Sequence, residues 1–142
     1  MLVALFIFAP AVPAVAAAPV AISGTAKCLN SMPVGVWIEA ESSTSGFAEW
    51  KTPIVVGGLT SAKYKFNLDR GGRYAVHVGC GGSAEDWALD LPSDWVDGNK
   101  NNFVCNDIHP ALSAAAGAVL KKLGKARAAL AQGIPYGTCV TR

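Results

Sequence analysis

Charge is scarce in this chain: acidic and basic residues make up 15% of its 142 positions, and the formal net charge is +2. A nucleic-acid binder needs a concentrated basic face, so that class of partner is not expected. The four cysteines, Cys28, Cys80, Cys105 and Cys139, include no CxxC pair, and the two histidines do not join them at zinc-finger spacing. Neither a metal nor a cofactor is expected. G-x-S-x-G, the phosphate loop and G-x-G-x-x-G are also missing, which leaves no sequence signature of a serine hydrolase, a nucleotidase or a dinucleotide enzyme.

Fifteen glycines and eight prolines punctuate short apolar runs, the pattern of an all-β domain with many turns. The plainest strand is Tyr74 to Gly79, bounded by Gly71-Gly72 and Gly81-Gly82. Its alternation puts Tyr74, Val76 and Val78 on a core face and Ala75, His77 and Gly79 on the other. Lys63 to Leu68 alternates as clearly, with Tyr64, Phe66 and Leu68 inward. Its link Asp69-Arg70-Gly71-Gly72 predicts a hairpin with the strand that follows. Ile22 to Cys28 and Val34 to Glu41 read as two more strands around a turn at Leu29–Pro33. The second would turn Val34, Val36, Ile38 and Ala40 inward and Gly35, Trp37, Glu39 and Glu41 outward. Phe47–Trp50 and Ile54–Val56 are shorter strand candidates in a loop-rich stretch, and Asn102–Cys105 reads as a last short strand.

Residues 2–22 carry no charge, and an apolar start gives way to alanine and proline, with Ala14-Val15-Ala16 offering a cleavage pattern before Ala17. A signal peptide is preferred to a retained membrane anchor because Pro10, Pro13 and Pro19 interrupt any spanning helix. Four cysteines behind such a leader predict two disulfides, for which three pairings exist. Cys28–Cys80 with Cys105–Cys139 is preferred, since the second pair would tie back a C-terminal helix. That helix is expected over 107–133, with Asp107 or a neighbour as its cap, an apolar stripe through Leu112, Val119, Leu123 and Leu130, and Lys121, Lys122, Lys125 and Arg127 as a solvated basic face.

Ser83–Asn102 holds five of the ten acidic residues and reads as a solvated acidic loop packed by its own Trp87, Leu89, Leu91 and Trp95. Asp94 and Asp97 before Gly98-Asn99 suggest calcium chemistry but miss the EF-hand spacing, so no metal site is assigned there.

Gly24-Thr25-Ala26, Pro33 to Ile38, Tyr64 to Leu68 and Gly72 to Val78 are similar in order and spacing to carboxypeptidase-regulatory-like and other transthyretin-like sandwich modules, over about residues 20–80. Val34 to Ala40 with Val76 to Gly82 and Trp87-Ala88 resembles uncharacterised secreted or cell-envelope proteins of actinobacteria. The resemblance implies an extracytoplasmic β-sandwich and brings no catalytic residue with it.

The expected organisation is therefore a signal or anchor (1–19), a disulfide-stapled, immunoglobulin-like or transthyretin-like antiparallel β-sandwich (20–106), an amphipathic helix (107–133) and a tail (134–142). The expected function is a non-catalytic secreted or envelope module that binds a cell-wall polysaccharide or an envelope protein, meeting membrane only through a retained N-terminal segment. Its contact face would be Trp37, Glu39, Glu41 and His77, joined by Trp50 or Trp87 if the loops fold towards it. An outward tryptophan beside carboxylates offers apolar area, an N–H donor and acceptors together. His77 alone reads as a neutral surface histidine. Two alternatives remain. One is a fragment of a cell-wall-acting thiol hydrolase with Cys139 or Cys105 as its thiolate: Ala128 to Cys139 faintly resembles the opening of cysteine peptidases that act on cell walls, in which the catalytic histidine follows the cysteine, whereas here only Val140, Thr141 and Arg142 follow. The other alternative is a structural spacer without a ligand.

Overall fold

In a computed structural model, the described residues are 9–10, 17–56, 59–110 and 133–142. Nine strands fill them: β1 (Val20–Cys28), β2 (Pro33–Ala40), β3 (Gly46–Phe47), β4 (Glu49–Val56), β5 (Leu59–Leu68), β6 (Tyr74–Gly82), β7 (Trp87–Pro92), β8 (Phe103–Cys105) and β9 (Cys139–Thr141). They form a five-stranded sheet in the order β4-β5-β1-β8-β9 and a four-stranded sheet in the order β3-β2-β6-β7. Between the sheets lies a core that the alternation predicted in Ile22, Ala26, Val36, Ile38, Tyr64, Leu68, Tyr74, Val76 and Val78, buried in one cluster with Leu91 and Phe103. Two disulfides, Cys28–Cys80 and Cys105–Cys139, form in the preferred pairing. The first joins β1 to β6 and so bolts one sheet to the other. The second links directly opposed residues of β8 and β9. Two disulfides fit an oxidising, extracytoplasmic compartment.

The predicted hairpin between β5 and β6 does not form. Each strand pairs within a different sheet, β5 with β4 and β1, β6 with β2 and β7, so residues 69–73 arch across the sandwich. Alternation cannot tell these cases apart, because both give two strands with one apolar face each. What decides is that the two inward faces meet: Tyr64 and Tyr74 approach each other across the core, their hydroxyl oxygens 3.4 Å apart. Gly71 and Gly72 make the arch with φ of 61° and 90°, a region most side chains avoid. Ser43 braces it, its hydroxyl donating to Gly71 O at 2.7 Å and accepting from Arg70 N at 3.0 Å.

Three other expectations change. The stretch expected as two short pieces, Phe47–Trp50 and Ile54–Val56, is mostly the single strand β4, which the chain reaches by switching sheets at the buried Ala48. Ser83–Asn102 is not a loop throughout, because β7 lies inside it, pairing Leu91 with Val78 and Leu89 with Cys80. Fully burying a leucine is worth about 1.5–3 kcal/mol, and Leu91 is 0% exposed. Asp90, the acidic residue of β7, stays exposed on the other side, so it does not oppose the strand. The sheets are also not purely antiparallel, since β1 and β8 run parallel, Ala26 to Cys28 beside Phe103 to Cys105.

Asp107, expected with its neighbours to offer a cap to a helix that falls mostly outside the described residues, also anchors another part of the chain. Its buried carboxylate accepts from Asn30 N at 2.7 Å and from the Ser31 hydroxyl at 2.5 Å, fastening the β1–β2 connection. Asn106 beside it holds the tail: its Nδ2 donates to Ile134 O at 2.7 Å, its backbone N donates to Thr138 O, and its own carbonyl accepts from Gly137 N. The expected helix falls mostly at residues 111–132, and most of the leader at 1–8 and 11–16; both lie outside the described residues. Among the described residues no helix is long and apolar enough to cross a membrane.

Candidate functional site

The outer face of the four-stranded sheet is built on an absence of side chains. Gly35 of β2 and Gly79 of β6 sit directly opposite each other on that face. The indole of Trp87 lies over both. A Cβ placed on Gly79 would come within 2.3–2.6 Å of Trp87 Cδ2, Cε2 and Cγ, and one on Gly35 within 2.5–2.8 Å of Cζ2, Cε2 and Nε1. Near-equal approach to several ring atoms means that the ring rests face-on against bare backbone, which only a glycine floor allows. Trp87 reaches this face because Gly81 and Gly82, with φ of 75° and 80°, break the alternation at the end of β6.

Two further aromatics complete the surface. Trp37, half-buried on β2, meets Phe47 of β3 edge to face at 4.8 Å between ring centres, and Phe47 meets Trp87 in the same manner at 6.0 Å. Phe47 is 67% exposed, a large apolar side chain left in water by the fold. Trp37, Phe47 and Trp87 line a cleft of about 410 Å³ together with His77, Asp90 and the Ala84–Asp86 turn.

His77 stands at the centre, opposite Trp37 in register. Its Nε2 lies 2.8 Å from Glu39 Oε2 and its Nδ1 lies 3.0 Å from Asp90 Oδ1. Both contacts are hydrogen bonds only if both nitrogens carry protons, so the geometry is that of the imidazolium. Burial works against that charge, but the hydrogen bonds and negative charges of Glu39 and Asp90 outweigh it and raise the pKa above the ordinary 6.5. The histidine expected to be an isolated surface residue is thus a hydrogen-bonded link between Glu39 of β2 and Asp90 of β7, which hold its proton more tightly than a free imidazole does.

Of the predicted contact face, Trp37, Glu39 and His77 come together, and Trp87 joins them from β7. Glu41 does not: it lies past the end of β2 and forms a two-pronged pair with Arg73, at 2.7 and 3.0 Å, which holds its carboxyl below the usual range. Trp50 belongs to the other sheet, opposite Tyr64, and packs partly against the core. Sequence reasoning did not place Asp90 or Phe47 in the site. Asp90 could have been found from the alternation Trp87-x-Leu89-x-Leu91, which turns it outward. Phe47 carried no such signal, because β3 is only two residues long.

Cys105 and Cys139 are bonded to each other, so neither can serve as a thiolate nucleophile in this state. The described residues with metal-ligand atoms grouped closely are Cys28, Cys80 and Asp107, but the two sulfurs are spent in a disulfide and the carboxylate on Asn30 and Ser31. What the outer face offers instead is exposed aromatic surface flanked by carboxylates and one histidine. No family model, curated protein or solved structure matches the chain, so these groups are the basis on which its function is read.

Proposed function

We propose that this chain is a non-catalytic module of the secreted or cell-envelope space that binds a saccharide polymer through the outer face of its four-stranded sheet. The observation that carries the reading is the Trp87 indole, backed on one face by Gly35 and Gly79. Its other face is turned away from the sheet beside Trp37 and Phe47. A pyranose ring presents axial C–H groups that stack on such a surface, while its hydroxyls need acceptors and donors at the rim. Glu39 and Asp90 supply acceptors there, while both His77 N–H groups are already directed at these two carboxylates. Strand order supports an immunoglobulin-like version of the sandwich, β4-β5-β1 against β3-β2-β6-β7, with the β1–β6 disulfide where immunoglobulin domains place theirs. Export through an N-terminal signal fits the paired cysteines.

Binding to insoluble cell-wall polysaccharide, with chitin and cellulose as further probes, tests the proposal. Trp37→Ala and Trp87→Ala are expected to lower retention at least tenfold, and Trp87→Phe to recover part of it. Unchanged retention of both alanine variants favours a spacer without a ligand. Retention of neither wild type nor variants, with binding to an envelope protein instead, moves the same face to a protein partner.

A further inference from the structure

The outer face of the other sheet is different in kind. A cleft of about 600 Å³ runs across β4, β5 and β1 and under the chain before β8, lined among others by Lys51, Lys63, Lys65, Lys100, Ser23 and Thr25. Its one carboxylate, Glu49, is taken by Lys65 at 3.1 Å. Lys51, Lys63 and Lys100 make no ion pair among the described residues. Lys51 and Lys63, moreover, are direct cross-strand partners. Like charges placed opposite each other on one sheet face destabilise it, so the pair is an arrangement that folding alone does not favour.

We propose that this cleft is a second binding site, for a flexible polymer that carries phosphate groups along its length but no bases. Three features select that ligand. All the cations are lysines, whose compact ammonium meets phosphate as a point charge, whereas planar carboxylates are matched better by the arginine fork. The cations are strung out rather than convergent: Lys63 and Lys65 are two residues apart on one strand, about 7 Å along it. Such spacing suits successive charges of a chain better than one small ion. Finally, the exposed large apolar side chains Val20, Met32, Phe47, Trp95 and Tyr136 do not line the cleft, and the aromatics that do, Trp50 and Tyr64, pack against the core, so it lacks projecting anchors by which a surface inserts into lipid. This site is separate from the aromatic face, on the opposite side of the sandwich.

Calorimetric titration of the intact protein with long-chain inorganic polyphosphate tests the assignment. Binding is expected at low salt, and its logarithm should fall linearly with the logarithm of salt concentration. The double variant Lys51→Gln/Lys63→Gln should bind at least tenfold more weakly with a shallower salt slope, yet melt at a temperature equal to or above wild type, because a repulsion is removed. Trp87→Ala should leave this binding unchanged. No binding of polyphosphate, or equal binding by the double variant, would overturn the proposal. So would tighter binding of single-stranded DNA of matched charge or of anionic phospholipid vesicles, which would assign the cleft to a nucleic acid or a membrane.

Discussion

Gly35 and Gly79 face one another across β2 and β6, and one indole covers both. A methyl group on Gly79 would stand 2.3 Å from Trp87 Cδ2, deep inside contact distance. Gly79→Ala is therefore expected to push the indole off the sheet and to cost about 1–3 kcal/mol, the range for overpacking. Urea unfolding measures the cost, and a red shift of tryptophan emission reports the displacement. Because both glycines contact the same ring, Gly35→Ala and Gly79→Ala together should cost less than the sum of the two.

The Cys28–Cys80 bond spans 52 residues and joins the two sheets. Chain-entropy arguments put the loss from cutting a loop of that size at about 4 kcal/mol. Cys28→Ala/Cys80→Ala should lower the denaturation midpoint by a corresponding amount. Cys105→Ala/Cys139→Ala, which releases a separation of 34 residues, should cost a similar amount on the same scale. Equilibrium denaturation of each pair variant checks both.

His77 makes stability depend on pH in a definite direction. Its folded pKa is raised above 6.5, so the folded state holds the proton more tightly than the unfolded chain does. The resulting stabilisation is fully present below the unfolded value and fades as pH rises through the folded one. Between those two values stability should decline with pH, and it should do so less in His77→Asn. An NMR titration of the imidazole is expected to show the elevated pKa, and Glu39→Gln should lower it by removing a charged acceptor.

Asp107 is buried at 4% exposure with two protein donors on its carboxylate. Asp107→Ala leaves Asn30 N and the Ser31 hydroxyl without that acceptor, at a cost of about 1–3 kcal/mol for each donor that water does not reach. Asp107→Asn keeps one carbonyl oxygen and should lose less. Thermal unfolding of the two variants ranks them.

Much of this fold is visible in the alternation of apolar residues. Tyr74-x-Val76-x-Val78 and Ile22-x-Gly24-x-Ala26 state which side chains go inward, and the structure obeys them. Pairing is another matter. The same inward faces of β5 and β6 serve a hairpin or an arch equally well, and the choice is made by contacts such as Tyr64 with Tyr74 that have no local signal. At the site, Trp37, Glu39 and His77 were readable because they share one parity on two neighbouring strands. Trp87 could be named only conditionally, beside Trp50, since its place depends on the strand end where Gly81 and Gly82 take positive φ. The raised pKa of His77 was hidden for a related reason: Asp90 arrives from a strand that its acidic neighbours disguised as a loop.

The bond between Cys105 of β8 and Cys139 of β9 closes residues 106–138 into a covalent ring. A protease that cuts anywhere inside that ring cannot release a fragment, because both cut ends stay attached to the same sandwich. On a gel without reductant the nicked molecule keeps the mass of the whole chain, and only a reductant parts it in two.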